Sequence, residues 1–502
     1  MAQQIQQLSL VAPAFRGLNT QDSPIDLDPS FALVADNCVV DQSGRLGARK
    51  GNAVVTTDKT ELGSDDITAM WQFTTRAGDE YFYSVGNNKI MEGTDTLSDV
   101  TPSAYTITAD HWQIDEFNDA VYFFQKDHDP LVADNTGAVT ALGGSAPQAN
   151  CVLSAFGRLW AADITGDRHT LYFSDTLRGD HWTTGSSGNI DLTSVWPNGT
   201  DNIVGLASHN NFLVIFGETA ILIYQGAEDP ATMTLADEIN GIGCIARDSI
   251  RGIGTDLLFL SREGLRSLGR TIQEKSVAIG DLSRNIKNEI QLSSASTPSE
   301  QIKAAFMPTE NLYVLSYPLR QIAYAFDVRQ PLETGAYRVT RWTQITHTSY
   351  HTGRDGSVYI GSDAGIGTHS GFLEKGNAYR MFFQSPQLSF GDTSKLKMLK
   401  NISAIFIGGG NTSVTVKWGY GFTSEFKSKV FNITGGNAVA YFGESEFNIA
   451  EFSTGTTADV FNAKANGSGT ILNIALEAQI NGSSLSIQGF NIQTLLGKIT
   501  NG

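Results

Sequence analysis

The chain has 502 residues, 41 % hydrophobic and 17 % charged, which is enough apolar content for a sizeable core and too little charge for a disordered polymer. Thirty-five Lys and Arg against 52 Asp and Glu leave a net charge of −17; such a surface repels phosphate and opposes ordinary nucleic-acid binding, though not the passage of DNA past a wall that does not hold it. Fifty-one Gly with 13 Pro exclude collagen-like and proline-rich linker readings, and three scattered cysteines (Cys38, Cys151, Cys244) without a C-x-x-C exclude a disulfide scaffold or zinc ribbon and fit a reducing cytosol.

Residues 1–10 lack a basic stretch and a long apolar core, so no signal peptide is expected, and no run of about eighteen apolar residues predicts a membrane-spanning helix. Asp28-Pro29 ahead of 31–36 predicts a short helix, followed by a strand at 38–41, a turn at 42–44 and a return strand at 46–49. From residue 69 onward, period-two alternation and turn punctuation dominate. Runs at 69–75, 79–85 and 89–91 form a first unit, 119–125 and 130–133 a second, 153–161 and 170–174 a third. The fourth covers 203–208, 211–217 and 220–224, the fifth 244–250, 257–261 and 265–268, the sixth 303–307, 311–317 and 322–327, and 350–351, 357–361 and 371–373 complete the series. A spacing of about 40–50 residues is that of propeller blades, and a closed ring of them removes exposed sheet edges. The reading is therefore mainly β, a six- or seven-bladed β-propeller, with a large β-sandwich as the competitor. One helix is predicted over 281–292, where Asp281 can cap and Leu282, Ile286 and Ile290 share a face; 291–301 reads as a loop.

Near residue 377 the composition shifts: residues 1–376 carry −19 and the last 126 carry +2. Alternating runs at 402–407, 413–418, 438–442, 471–480 and 484–490 predict a separate antiparallel β-domain of sandwich type, with Asn481-Gly482 as a hairpin turn between the last two. The expected organisation is thus a propeller over 61–376 and a β-domain over 377–502, with residues 1–60 ahead of them.

Chemistry is sparse. A nucleophile elbow, H-E-x-x-H, a P-loop and a dinucleotide fingerprint are all absent from the sequence. His347 and His351 lack a third ligand, and Asp127-His128-Asp129 lacks the acidic residue that would close a calcium loop, so no metal site, no cofactor and no catalytic residue are assigned. The stretch from Ser174 and Asp175 to Gly179 and Trp182 is similar to the Asp-box of sialidase-type propellers, a structural turn. Asp115-Glu116 and Asp65-Asp66 read as solvated loop charges, without a placed carboxylate pair of the kind glycosidases need. Two basic groups, Arg45, Arg49 and Lys50 and then Lys395, Lys397 and Lys400, lack interleaved aromatics and read as protein-interface candidates, not as a single-strand platform.

Residues 15–19 (F-R-G-L-N), Ser23-Pro24, 35–38 (A-D-N-C) and 41–51 (D-Q-S-G-R-L-G-A-R-K-G) resemble the opening of the nozzle, or tail hub, proteins of short-tailed bacteriophages, also called tail tubular protein B. Similar short patterns recur at 171–175 with Trp182, at 201–217 and 218–224, at Gly243-Cys244, at 256–268, and at 390–392 with 395–400 and 414–418. The chain lacks the long insertions of the larger tubular proteins. The resemblance implies a non-enzymatic virion component of a podovirus tail, made in the bacterial cytoplasm, with the N-terminal segment (1–60) packing with the C-terminal β-domain (377–502) as a platform near the adaptor. Its partners would be itself as a homohexameric ring, adaptor and portal-side tail proteins, and tail fibres or a needle; DNA would pass without sequence-specific binding, and no membrane insertion is implied. Phe15 and Arg16 join the two basic groups as candidate interface residues. A carbohydrate-binding or glycosidase-type propeller that recognises a receptor is the alternative.

Overall fold

The computed structural model describes residues 5–197, 199–274, 281–410, 412–421, 426–433 and 458–499. The expected strand at 438–442 lies outside the described residues. The chain is mainly β and divides into two compact units: one of Met1–Ala53, Ala323–Gln344 and His369–Gly502, the other of Val54–Ile322 and Ile345–Thr368. The segment 323–344, which the sequence spacing assigns to the propeller, is grouped with the first unit, as is 369–376.

The second unit is a β-propeller. Its first four blades are four-stranded and antiparallel: Ala69–Thr74 to Ser98–Asp99, Gln113–Phe117 to Val139–Ala141, Ala149–Ala155 to Gly188–Asp191, and Ile203–His209 to Thr234–Asn240. A three-stranded blade, Arg251–Gly252 to Gly264–Ser267, follows, then the hairpin of Lys303–Met307 with Leu312–Tyr317. Last comes the blade of Ser349–Thr352, Val358–Ser362 and Gly365–His369, where Val55 and Thr56 both donate to the Ile366 carbonyl and so tie the start of the unit to its end. Among the described residues this makes six sheets of three or four strands plus the hairpin. The first strand of each faces a common axis.

Burial follows from that geometry. A middle strand is covered on both faces by neighbouring blades, so it reads as a continuous apolar run, as in Phe212–Gly217, Leu257–Ser261 and Leu312–Tyr317. The outermost strand Thr234–Asn240 is largely exposed. Each inter-blade seam has its own core: Phe73, Tyr83 and Phe123 between the first two blades, Trp160, Phe173 and Ile215 between the third and fourth, Phe216 and Phe259 between the fourth and fifth. Consecutive left-handed residues build the tight hairpin turns at Asn87-Asn88, Asn118-Asp119 and Asn210-Asn211, where Asn and Asp tolerate positive φ.

The sequence reading errs where a pattern is locally misleading. The run 153–161 is two strands, because Phe156 (φ 56°) and Gly157 (φ 71°) turn the chain inside it. Residues 244–250 are not a strand but a single helical turn, Arg247–Ser249, and 371–373 give way to Gly365–His369 as the last strand. Leu282, Ile286 and Ile290 are buried as expected, but the helix proper is Lys287–Ala295, entering the stretch read as loop, while Asp281 binds the Ser283 N–H and hydroxyl.

Among the described residues the first unit holds two large sheets and a two-stranded parallel pair, Gly17–Leu18 with Phe31–Ala32. One runs Ala458–Lys464, Lys395–Gly408, Leu485–Ile499, Leu46–Ala48, Cys38–Val40, with Ile5–Val11 also on Leu485–Ile499. The other includes, in order, Arg338–Thr343, Val34–Asp36, Tyr379–Gln384, Leu472–Ile480, Ser413–Tyr420 and Lys427–Asn432. The expected helix at 31–36 is two short strands, because Asp28 caps Ser30 locally and 34–36 fills a slot between 382–384 and Arg341. Leu472–Ile480 and Leu485–Ile499 do not form the hairpin that Asn481-Gly482 suggests. The turn carries the chain from one sheet to the other, and the two sheets meet through Phe15, Phe383 and Phe490, with ring centroids 5.8–6.5 Å apart.

Candidate functional site

The axis of the propeller is the one place where all its blades converge. Each innermost strand is a sheet edge, with backbone groups that need partners away from its own blade. Side chains of neighbouring blades supply them. Gln113 Oε1 accepts from Val152 N–H (2.9 Å) and Asp115 Oδ2 from Ser154 N–H (2.6 Å). His351 Nε2 accepts from Gln72 N–H (3.2 Å), Ser349 donates to the Ile67 carbonyl (2.7 Å) and Arg251 Nε to that of Ala304 (3.0 Å).

At one level the axis is crossed by charge. Arg247, on the helical turn before the fifth blade, is buried; it donates to the Asn150 carbonyl and Oδ1 and to the Trp112 carbonyl of two other blades. Its Nε lies 2.9 Å from Asp248 Oδ1, and Lys303 Nζ is 2.5 Å from Asp248 Oδ2. This cluster stands between two cavities. One, of about 620 Å³, is lined by the inner strands together with Asp248 and Lys303; the other, of about 280 Å³, by Arg247, His111, Asn150, Arg168, Glu218 and Arg262 among others.

Burial sets the protonation of the axial groups. Asp115, read from sequence as a solvated loop charge, lies on an inner strand, where burial raises its pKa to about 7 against the pull of the Ser154 and Glu116 amides. Burial, then Arg251, lowers His351 to about 4, and burial with Arg247 and Lys303 holds His111 well below the usual histidine range. For Asp248 burial opposes ionisation, but Arg247, Lys303 and His111 outweigh it and hold the carboxyl well below its ordinary value. Burial lowers Lys303.

Chemically, Arg247, Asp248 and Lys303 are turned toward one another, and Asp115 and His351 toward backbone amides of neighbouring blades. Asp256, which also lines the larger cavity, accepts from the Leu257 and Gly269 amides and the Ser267 hydroxyl. Among the described residues no group of three or more His, Cys, Asp or Glu could hold a metal ion. His347 sits buried beside the Tyr350 hydroxyl (3.1 Å), and Asp127 to Asp129 form a turn with Asp127 at φ 63°. In the Asp-box-like stretch, Asp175 binds the Ser186 and Thr176 amides, which lowers its carboxyl to about 2, and Trp182 is buried and donates to the Gly179 carbonyl.

The interface candidates separate by burial. Phe15, Arg49 and Lys397 are core residues of the two-sheet unit and cannot face a partner. Arg49 pairs with Glu374 (2.7 Å), donates to Asn37 Oδ1 and stacks on Tyr379 (4.4 Å) and Trp342 (5.6 Å); Lys397 donates to the Asp392 and Thr470 carbonyls. Arg16 lies over the Phe31 ring, Arg45 binds Gln488, Lys395 pairs with Asp392 (3.0 Å), and Lys50 is half-buried; Lys400 is exposed. The axial cluster of Arg247, Asp248 and Lys303 escaped sequence reasoning because its members have no motif spacing. Gln113 and Asp115 are no easier to find, since Asp115-Glu116 between Ile114 and Phe117 breaks the period-two alternation that marks a strand.

No family model matches the chain, and no curated protein does. Among solved structures it is similar to the WD40 domain of Neurospora crassa Pan2, at 9 % identity and TM-score 0.36 over 64 % of this chain and 94 % of that one. It is likewise similar to BamB from Moraxella catarrhalis, at 11 % identity and TM-score 0.34 over 73 % and 98 %. The extracellular domain of BT4673 from B. thetaiotaomicron gives 10 %, 0.42, 67 % and 45 %. With each of these TM-scores below 0.5, the likeness carries no argument about this chain.

Proposed function

We propose that the chain is a structural subunit of a short phage tail: a nozzle-like ring, with six copies by family resemblance, that attaches to the portal and adaptor and encloses the channel for DNA ejection. The observation that carries the reading is the pairing of Ile5–Val11 with residues 489–495, which joins the N-terminal segment to the C-terminal strands in one unit. That is the arrangement the resemblance implies for the platform beside the adaptor. Charge supports it. The propeller unit contains 37 acidic and 18 basic residues, a net −19, whereas the two-sheet unit contains 15 and 17, a net +2. An acidic propeller wall lets phosphate pass without holding it, and a near-neutral platform meets protein partners without long-range repulsion. The axial groups serve the ring of blades itself, in keeping with a wall element and not an enzyme.

Electron microscopy of the purified chain, alone and with its adaptor, tests the reading. A ring with a central opening wide enough for duplex DNA is expected; a lone monomer under both conditions overturns it. Reversing several exposed propeller carboxylates in the virion should slow DNA ejection, and unchanged ejection kinetics would count against a DNA-facing wall.

A further inference from the structure

The two ends of one sheet in the two-sheet unit fit each other. Across that sheet the order is Ala458–Lys464, Lys395–Gly408, Leu485–Ile499, Ile5–Val11, every neighbour antiparallel. The two end strands therefore run in opposite directions, so an end strand of one copy beside the other end strand of a second copy continues the antiparallel alternation. Each end strand has seven residues, and among the described residues no strand lies on the outer side of either.

Register makes the match specific. One row across the sheet reads Asn462, Ser403, Asn491, Ser9; the next reads Phe461, Ala404, Phe490, Leu10; a third reads Val460, Ile405, Gly489, Val11. Continued level into another copy, Ser9 faces Asn462, Leu10 faces Phe461, and Val11 faces Val460. Polar rows stay polar and apolar rows stay apolar. Val11 and Val460 are among the few large apolar side chains left exposed, at 44 % and 53 %, and this juxtaposition covers both. The strand I-Q-Q-L-S-L-V carries no charge and no proline, the devices that keep a free edge from pairing.

We propose that copies of this chain associate head to tail, Ile5–Val11 of one pairing antiparallel with Ala458–Lys464 of the next, to extend a single sheet across the interface. Such a heterologous contact closes into a ring when its rotation permits. It stands without the phage-tail reading: association of any copy number through these edges supports it, while ring size and DNA passage test the other.

The experiment uses full chains carrying Val11→Cys or Val460→Cys; the three native thiols are buried. Mild oxidation of the mixture should give a covalent dimer that neither variant gives alone. Self-linking of Val11→Cys alone would mean like edges pair, and absence of any cross-link with a monomer mass at micromolar concentration would mean the edges do not pair; either overturns the proposal. In parallel, Val11→Lys and Val460→Lys should each weaken self-association at least tenfold, and Val11→Lys with Val460→Glu should restore it. Unchanged circular dichroism and melting in each single variant separate lost contact from lost fold. Failure of the double variant to recover association overturns the level register.

Discussion

In each unit a buried arginine stands where distant segments meet, Arg49 in one and Arg247 in the other, and the two are held in different ways. Arg49 in the two-sheet unit has aromatic faces, Tyr379 and Trp342, against its guanidinium, and Glu374 for a counter-ion. Arg247 in the propeller shares the carboxylate it pairs with, Asp248, with a second buried cation, Lys303, and reaches the carbonyls of two further blades. A planar cation between rings draws its stability from packing as well as charge, whereas two cations on one anion depend on that anion. The propeller axis is thus the electrostatically exposed part of the molecule, in the unit that also holds the whole acidic excess.

Substitution of the shared anion should show this most strongly. Asp248→Ala leaves Arg247 and Lys303 buried without compensation, and a loss of about 3–5 kcal/mol is expected in denaturant unfolding followed by tryptophan fluorescence. Five of the seven tryptophans, Trp71, Trp112, Trp160, Trp182 and Trp196, report on the propeller. A loss under 1 kcal/mol would erase the contrast. Arg49→Lys keeps the charge but loses the fork to Asn37 and the stacking, and should cost about 2 kcal/mol, read from the fluorescence of Trp342 and Trp418.

pH sharpens the comparison further. The folded chain keeps Asp115 protonated up to about pH 7, while the unfolded chain releases that proton near 3.8, so this group makes stability fall as pH rises between those values. His351 acts with the opposite sign: unfolded it takes a proton near 6.5, folded only near 4, so its contribution is lost as pH falls through that window. Asp115→Asn removes the first effect alone. The variant should gain stability relative to wild type at pH 8 and lose that advantage by pH 4; a pH-independent difference would mean that Asp115 is not the group titrating. The smallest effect belongs to Arg354→Ala, which breaks a largely exposed pair with Glu116 (3.0 Å) and should cost less than about 1 kcal/mol, vanishing in high salt.

How far the sequence reveals all this depends on the range of the interaction. Strands such as 69–75, 211–217 and 220–224 are legible because burial on one or both faces is written as alternation or as an apolar run. Val34–Asp36 is not, because its strand state comes from the slot between residues 341 and 382–384, not from its own preference. Asn481-Gly482 announces a reversal but says nothing about which sheet receives the next strand. The basic run Arg45, Arg49, Lys50 looks uniform, yet a partner 325 positions away buries Arg49 and leaves its neighbours partly in solvent. The axial cluster is illegible for the same reason: residues 112, 150, 248 and 303 meet only once the blades have closed.

The pairing of Ile5–Val11 with residues 489–495 also carries a consequence for biosynthesis. Ile5–Val11 finds this neighbour only once residues 489–495, hundreds of positions further along the chain, have been translated. A product that stops short of residue 489 still contains every blade but lacks the strand on which Ile5–Val11 pairs, so that sheet edge exists only in chains translated through this stretch.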